Sequence, residues 1–426
     1  MIERALQLAM RKAEGAEVGL SRGRSAGARY EDDKLKGVDV AQTASLGIRV
    51  IVDGKVGSAH TTDLGDIEGV VARAAAVAEF GSEATFNFPG PAEAPEVETY
   101  DPEVERTSRE ELVETGAEML ALVKEYNGEI KVSSGASWHV GERRLINSSG
   151  LDLSKQGSSF DVSVGGVLIR GTDMLMAWHG RQWRRKEARA REAAERAIEK
   201  FRMAERTAQA ASKTMPVILT PRGTYVLLVS LGMGVNGKNV QKGDSPLAGR
   251  MGESIASPSL TLVDDRTVPY APASGSHDGE GVPGRRTEII SEGVLRSFLY
   301  DLETAGKAGT TSTGNGPGCY ASNTLIVPGE AALGEMVRGT REGLLVESVM
   351  GLGQSNVMNG DFSVNVALGY KIENGEVVGR VKNVMLAGNV YEALKAVEGA
   401  GSEAEWSGAT CAPAILVGAL SVVARG

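Results

Sequence analysis

The spacing of apolar and polar positions divides the chain into recognisable elements. Met1–Ala13 carries apolar residues at helical spacing, interrupted by Glu3, Arg4, Arg11 and Lys12, and predicts an amphipathic helix. Glu17–Leu20 and Gly27–Tyr30 read as strands. LGIRVIVDGKVGSAH sets Asp53-Gly54 between two alternating runs, the pattern of a tight hairpin. Asp63 or Asp66 is placed to cap the next helix, whose apolar side holds Ile67, Val70, Val71, Ala74 and Val77. Ser108 and Glu111 form a capping box ahead of REELVETGAEMLALVKEY. Strands dominate from Glu129 to about Met176, with turns expected at Gly141-Glu142 and Ser148-Ser149-Gly150. A long helix is expected from Trp183 to about Ala211. Beyond Met215 the pattern is strands and glycine turns, with two further hairpins at Ser291–Gly293 and Asn374-Gly375.

These elements predict four segments. They are an N-terminal α/β region (1–85), an acidic, proline-rich linker (86–106), a middle α+β region ending in the charged helix (107–214), and a β-rich C-terminal domain (215–426). The expected class is α+β: a mixed N-terminal region with antiparallel hairpins, followed by a β-rich domain.

Composition sharpens this picture. The 426 residues include 55 glycines, about 13% against a usual value of about 7%, and they are not periodic. Many tight turns between short strands are therefore expected. The four histidines (His60, His139, His179, His277) and two cysteines (Cys319, Cys411) form no short-spaced cluster, which disfavours a sequence-evident zinc site and a disulfide framework. A net charge of −9 disfavours general nucleic-acid binding. The charged N-terminus is unlike a signal peptide and no apolar run is long enough to span a bilayer, so a cytoplasmic protein is expected.

Three local motifs compete as sites. Arg181–Arg206 holds ten basic and five acidic residues, but Glu187–Arg191 and Glu192–Arg196 at helical spacing favour a solvated, self-paired face. Gly232–Lys238 imitates the start of a phosphate-binding loop, a phosphate-binding NTPase being one alternative; Asn239 stands where such a loop needs Ser or Thr for magnesium. In GSHDGEGVPGRR, His277, Asp278 and Glu280 could do acid–base work, although pairing of the two acids with Arg285 and Arg286 is the simpler expectation.

The same stretch carries a family resemblance. GEGVPGRRTEIISEGVLRSFLYDLETAGKAGTTSTGNG (Gly279–Gly316) resembles the signature of the TldD/PmbA (TldD/TldE) family. Tyr30-Glu31-Asp32, LINSSG (Leu145–Gly150) and the run from Gly243 to Asp265 agree with it in order. The resemblance implies an intracellular metallopeptidase assembly that cleaves extended, unfolded peptides, in peptide maturation and antitoxin turnover. An older description of the family is as a modulator of DNA gyrase. The catalytic TldD branch carries H-E-x-x-x-H on a helix, two histidines binding zinc and the glutamate acting as base, with a cysteine near the C-terminus. Here the equivalent positions are Val229, Ser230 and Gly234, and Cys411 falls several residues late. The resemblance therefore points to the PmbA/TldE branch: a subunit with no metal of its own, paired with a zinc-bearing TldD-type partner, or a homodimer when alone. His277, Asp278, Glu280, Arg285, Thr313 and Asn315 are then candidates for lining a peptide cavity. Two alternatives remain at this point, an active peptidase with ligands relocated near His277 and a homodimeric binding protein.

Overall fold

A computed structural model describes residues 1–187 and 189–424, and among them builds two sheets. The first is antiparallel and six-stranded, formed by β1 (Gly15–Glu31), β2 (Lys34–Val52), β3 (Lys55–Thr61), β4 (Lys131–Asn147), β5 (Asp152–Arg170) and β6 (Asp173–Trp183). Its order is β3-β2-β1-β4-β5-β6, so the N-terminal and middle segments contribute three strands each to one sheet. Glu17–Leu20 and Gly27–Tyr30 belong to a single strand, because the alternation continues unbroken between them. The turn expected at Gly141-Glu142 does not form. Gly141 lies inside β4, opposite Gly23 of β1 and Gly157 of β5, and a mid-strand glycine marks a close approach rather than a reversal. The turn at Ser148–Gly150 does form, with Gly150 at φ 87°.

Side chains alternate across a strand, and one face of this sheet is covered by helices. Helix α1 (Ile2–Ala9) and α2 (Ile67–Ala78) pack on Val18, Leu46, Ile48, Val50 and Ile146. Asp66 caps α2, accepting a hydrogen bond from Gly69 N at 3.1 Å. After the single turn α3 (Pro102–Glu105), α4 (Arg109–Tyr126) and α5 (Ala190–Met203) cover Ala26, Ala28, Val132, Phe160 and Val162. The Ser108–Glu111 capping box is present in both directions, at 3.1 and 2.8 Å. The helix expected over Trp183–Ala211 is shorter. Trp183 ends β6, and Ala188 lies outside the described residues. The Arg184 guanidinium donates to the carbonyls of Thr99, Ala271, Pro272 and Ser274, holding this stretch out of a helix. Glu187 pairs with Arg185 and Arg189, and Glu192 with Arg181 and Arg189, so the basic segment is self-paired through other partners than expected.

Residues 86–101 have no regular structure but are not a free tether. Phe88 is buried, Asn147 Nδ2 donates to Pro89 O at 2.8 Å, and Tyr270 N donates to Glu98 O at 2.8 Å. The segment straps the first sheet to the C-terminal region.

The second sheet runs through β7 (Thr207–Ala208), β8 (Lys213–Leu219), β9 (Leu262–Asp265), β10 (Arg286–Ser291), β11 (Val294–Leu295), β12 (Thr324–Ile326), β13 (Glu342–Met350), β14 (Asp361–Glu373), β15 (Glu376–Val381), β16 (Val384–Asn389), β17 (Val397–Ser407) and β18 (Thr410–Ala424). β18 pairs with β8, β8 with β13, β13 with β14, β14 with β16, and β16 returns to β18. Five strands thus close a ring, which removes their edges from solvent. Helices α6 (Tyr225–Gly234), α7 (Gly237–Lys242), α8 (Leu302–Lys307), α9 (Leu333–Gly339) and α10 (Val390–Lys395) accompany this sheet. All three expected hairpin turns form with left-handed pairs: Asp53/Gly54 at φ 50° and 70°, Glu292/Gly293 at 47° and 79°, and Asn374/Gly375 at 50° and 81°. This is the α+β, hairpin-rich architecture expected from the alternation. No helix among the described residues is long and apolar enough to cross a membrane.

Candidate functional site

Helix α6 is almost wholly apolar, and Val226, Leu227 and Leu231 bury it in the C-terminal core. Val229 packs against the same core. Ser230 is fully buried and its hydroxyl has no hydrogen-bond partner. Gly234 ends the helix beneath Tyr391 of α10. A Cβ at Gly234 would lie 2.4 Å from Tyr391 Oη and 3.3 Å from Leu247 Cδ1. Tyr391 Oη donates to Ser230 O at 3.4 Å, and Ser245 Oγ donates to Gly234 O at 2.6 Å. The position therefore has no room for a side chain, and the helix offers neither imidazole nor carboxylate. These residues do not fit a zinc ion, which takes thiolate, imidazole and carboxylate ligands. Cys411 lies in β18 opposite Trp406, and Cys319 is buried against Thr304. Burial pushes both thiols up, away from the reactive thiolate. No group of three or more His, Cys, Asp or Glu among the described residues is arranged to hold a metal.

The phosphate-loop reading also fails on this helix. A phosphate cradle needs free backbone N–H groups in a loop, but Gly232–Lys238 runs from α6 into α7. Val235 N donates to Leu231 O, Gly237 N to Leu299 O, and Lys238 N to the capping Asn236 side chain.

The second candidate region is a set of loops stitched by carboxylates. Asp278 accepts from Glu280 N, Val282 N and Gly316 N at 2.7–2.9 Å. Asn315 Nδ2 donates to Asp264 Oδ2 at 2.6 Å and to Tyr320 O at 3.0 Å, while Thr313 Oγ1 donates to Asn315 Oδ1 at 2.7 Å. Glu280 accepts from Leu302 N at 2.8 Å. Arg285 is exposed and donates to Thr313 O, and Arg286 pairs with Glu288. The expected pairing of Asp278 and Glu280 with Arg285 and Arg286 is therefore absent. Asp278 and Glu280 are consumed by backbone amides and by Arg49, which leaves no relocated ligand set at His277. The six lining candidates also separate. His277 and Asp278 face a cavity of about 920 Å³ between the first sheet and the loop 273–279. Arg285 and Thr313 face a different one of about 530 Å³, and Glu280 and Asn315 are interior.

Arg49 is the residue the sequence did not reveal. It sits opposite Glu17 in the β1–β2 register and reaches Glu17 at 3.1 Å and Glu280, 231 positions away, at 2.5 Å. Its guanidinium lies 5.2 and 5.1 Å from the ring centres of Phe86 and Phe88. This triad locks the N-terminal sheet to the C-terminal loops. Burial pushes the Glu17 carboxyl up from 4.5 to about 7, with Arg49 pulling it down and Glu280 adding to the rise. Burial pushes Glu280 up as well. The native state therefore holds protons that the unfolded chain has released above its ordinary value of 4.5. Stability from this source is full below that value and is lost as pH rises toward 7. Urea midpoints should fall between pH 5 and pH 7, and Glu17→Gln should flatten that slope; an unchanged slope would contradict the assignment.

Comparison with known proteins places these features. Profiles of the PmbA/TldA metallopeptidase domains match residues 16–78 (domain 1), 102–201 (central domain) and 212–424 (C-terminal domain). An uncharacterized protein of Methanocaldococcus jannaschii is 31% identical over 369 residues, covering 84% of this chain and 86% of its own. The metalloprotease PmbA homolog of Haemophilus influenzae is 27% identical over 424 residues, covering 92% and 88%. The crystal structure of TldE from Thermococcus kodakarensis superposes with a TM-score of 0.91 at 25% identity, covering 99% of both chains. A Thermotoga maritima structure described as a candidate modulator of a DNA gyrase gives 0.92 at 26%, again over 99% of both. With three successive domain profiles and a full-length relative agreeing, the chain belongs to the PmbA/TldD metallopeptidase family.

Proposed function

We propose that this protein is the non-catalytic, TldE-like subunit of a two-subunit peptidase. It pairs with a TldD-type chain that carries the zinc and the base, and the two enclose extended, unfolded peptides in the cytoplasm. The observation that carries the reading is Gly234: Tyr391 and Leu247 fill the space that a ligand side chain would need on α6. The likeness to TldE over the whole chain supports the same branch. A subunit without its own chemistry contributes walls, strand edges and peptide contacts to the shared cavity.

The test is reconstitution. The chain and a TldD-type partner with an intact H-E-x-x-x-H should co-elute as a complex, and peptidase activity should require both. Zinc should be found in the partner alone. Failure to associate, or full activity of the partner by itself, would overturn the proposal.

A further inference from the structure

At the β11 end of the second sheet, the β10–β11 hairpin and the loop after α8 border a cavity of about 530 Å³. Arg285, Arg286 and Arg296 line it from the hairpin, and Thr310, Thr311 and Thr313 from the loop; no Asp or Glu lines it. Three guanidiniums thus converge in a chain whose net charge is −9. A cleft lined by one sign of charge concentrates the opposite ion. The three cations are only partly committed within the protein. Arg286 Nη1 donates to Glu288 Oε1 at 2.9 Å. That carboxyl is held below its ordinary value by this bond, by Ser291 and by the charges of Arg286 and Arg296. Arg285 uses Nε alone, donating to Thr313 O at 3.1 Å, which leaves both terminal nitrogens open. Arg296 is exposed and, among the described residues, its side chain makes no hydrogen bond or ion pair.

The hydroxyl side of the cavity is held in place by its own backbone. Thr310 N donates to Ala305 O and Thr313 N to Tyr300 O, each at 3.0 Å, and Ser312 Oγ donates to Tyr300 O at 3.0 Å. Thr313 Oγ1 is occupied, accepting from Tyr300 N and donating to Asn315 Oδ1, both at 2.7 Å. The exposed Thr310 and Thr311 have no protein partner for their hydroxyls among the described residues. Donors fixed before a ligand arrives lose less freedom when it binds. The remaining wall is not ionic. Buried Phe298 and half-buried Tyr300 meet edge to face with ring centres 6.5 Å apart, and an exposed Met251 joins them.

We propose that this cavity binds a small phosphate monoester. Arg285 and Arg296 hold the phosphate oxygens, Thr310 and Thr311 donate hydroxyl hydrogens to them, and the organic group lies against Tyr300 and Met251. A guanidinium fork matches two phosphate oxygens at once, and Arg286 adds positive charge while it stays paired with Glu288. The space is large for a bare oxyanion and lies within the range of small-ligand sites. The inference is independent of the subunit pairing proposed above.

The test is titration calorimetry on the isolated, full chain at about pH 7.5, where a phosphate monoester carries close to two charges. About 0.15 M salt screens diffuse surface attraction. The probes are phenyl phosphate, benzoate, which keeps the ring with a single charge, and inorganic phosphate, which lacks the ring. Phenyl phosphate should bind at least about tenfold more tightly than either, the factor expected from one good charge-assisted or apolar contact. Arg285→Gln and Arg296→Gln should each weaken phenyl phosphate about tenfold or more. Arg285→Lys keeps the charge without the fork and should weaken it too, and Met251→Ala should narrow the advantage over inorganic phosphate. Arg29→Gln, at an exposed arginine paired with Glu31 on the first sheet, should change nothing. Melting curves establish that each variant is folded, and the Arg296 variant, which breaks no internal bond, carries the test if Arg285→Gln is not. No binding of phenyl phosphate, or binding that survives loss of Arg296, overturns the proposal. Equal affinity for benzoate overturns the phosphate, and equal affinity for inorganic phosphate overturns the organic group.

Discussion

Replacing Val229, Ser230 and Gly234 with His, Glu and His should destabilise the C-terminal domain without creating a zinc site. The largest part of the effect comes from Gly234. Its missing Cβ would stand 2.4 Å from Tyr391 Oη, and Tyr391 is itself fixed among the buried residues of α10. Forcing bulk into a packed core costs about 1–3 kcal/mol and occasionally more. At roughly 2–4 °C per kcal/mol for a domain of this size, Gly234→His alone should lower Tm by about 2–12 °C. Ser230→Glu adds a carboxylate at a fully buried position where even the native hydroxyl has no hydrogen-bond partner, a further large penalty. Thermal melts and metal analysis of the purified variants read both outcomes. Adding Tyr391→Ala to Gly234→His should recover part of the loss. A triple variant that melts like the parent and retains stoichiometric zinc would show that the site is merely unoccupied by ligands rather than closed.

Arg49→Met should be the most damaging single change outside the C-terminal core. It leaves Glu17 and Glu280 buried without their shared cation and removes the guanidinium from the rings of Phe86 and Phe88. Removing one partner of a buried ion pair costs about 3–5 kcal/mol. Urea unfolding at pH 7 should show a loss of that order. The loss should shrink at pH 5, where the stranded carboxyls accept protons, and Glu17→Gln in the same background should restore part of it. A loss that is equal at both pH values would argue that packing, rather than charge, is responsible.

Much of this fold was legible because its signals are local. Asp53-Gly54, Glu292-Gly293 and Asn374-Gly375 need only their own left-handed backbone to make a turn, and Ser108 caps a helix with a residue three positions away. The errors have distant causes. Gly141 reads as a turn until Gly23 and Gly157 are seen beside it, and the stretch after Trp183 reads as helix until Arg184 is tied to carbonyls at Thr99 and Ala271–Ser274. The site divides the same way. The resemblance placed the family's metal-ligand positions at Val229 and Gly234, whereas the filling of the space at Gly234 by Tyr391 depends on a contact across more than 150 residues. Asp278 and Glu280 were expected to pair with Arg285 and Arg286, but their partners are backbone amides and Arg49, which no spacing in the chain announces.

The position of β18 has a consequence for how the molecule is made. This strand bonds to β8, β12, β16 and β17, joining elements that precede it by as many as two hundred residues. The middle of the second sheet is therefore translated after every strand it joins. Until then β8 and β16 wait with unpaired edges, and the five-strand ring stays open. Such non-local closure is slow and leaves aggregation-prone edges exposed. During synthesis all six strands of the first sheet are available by Trp183, while the five-strand ring of the second stays open until β18 emerges.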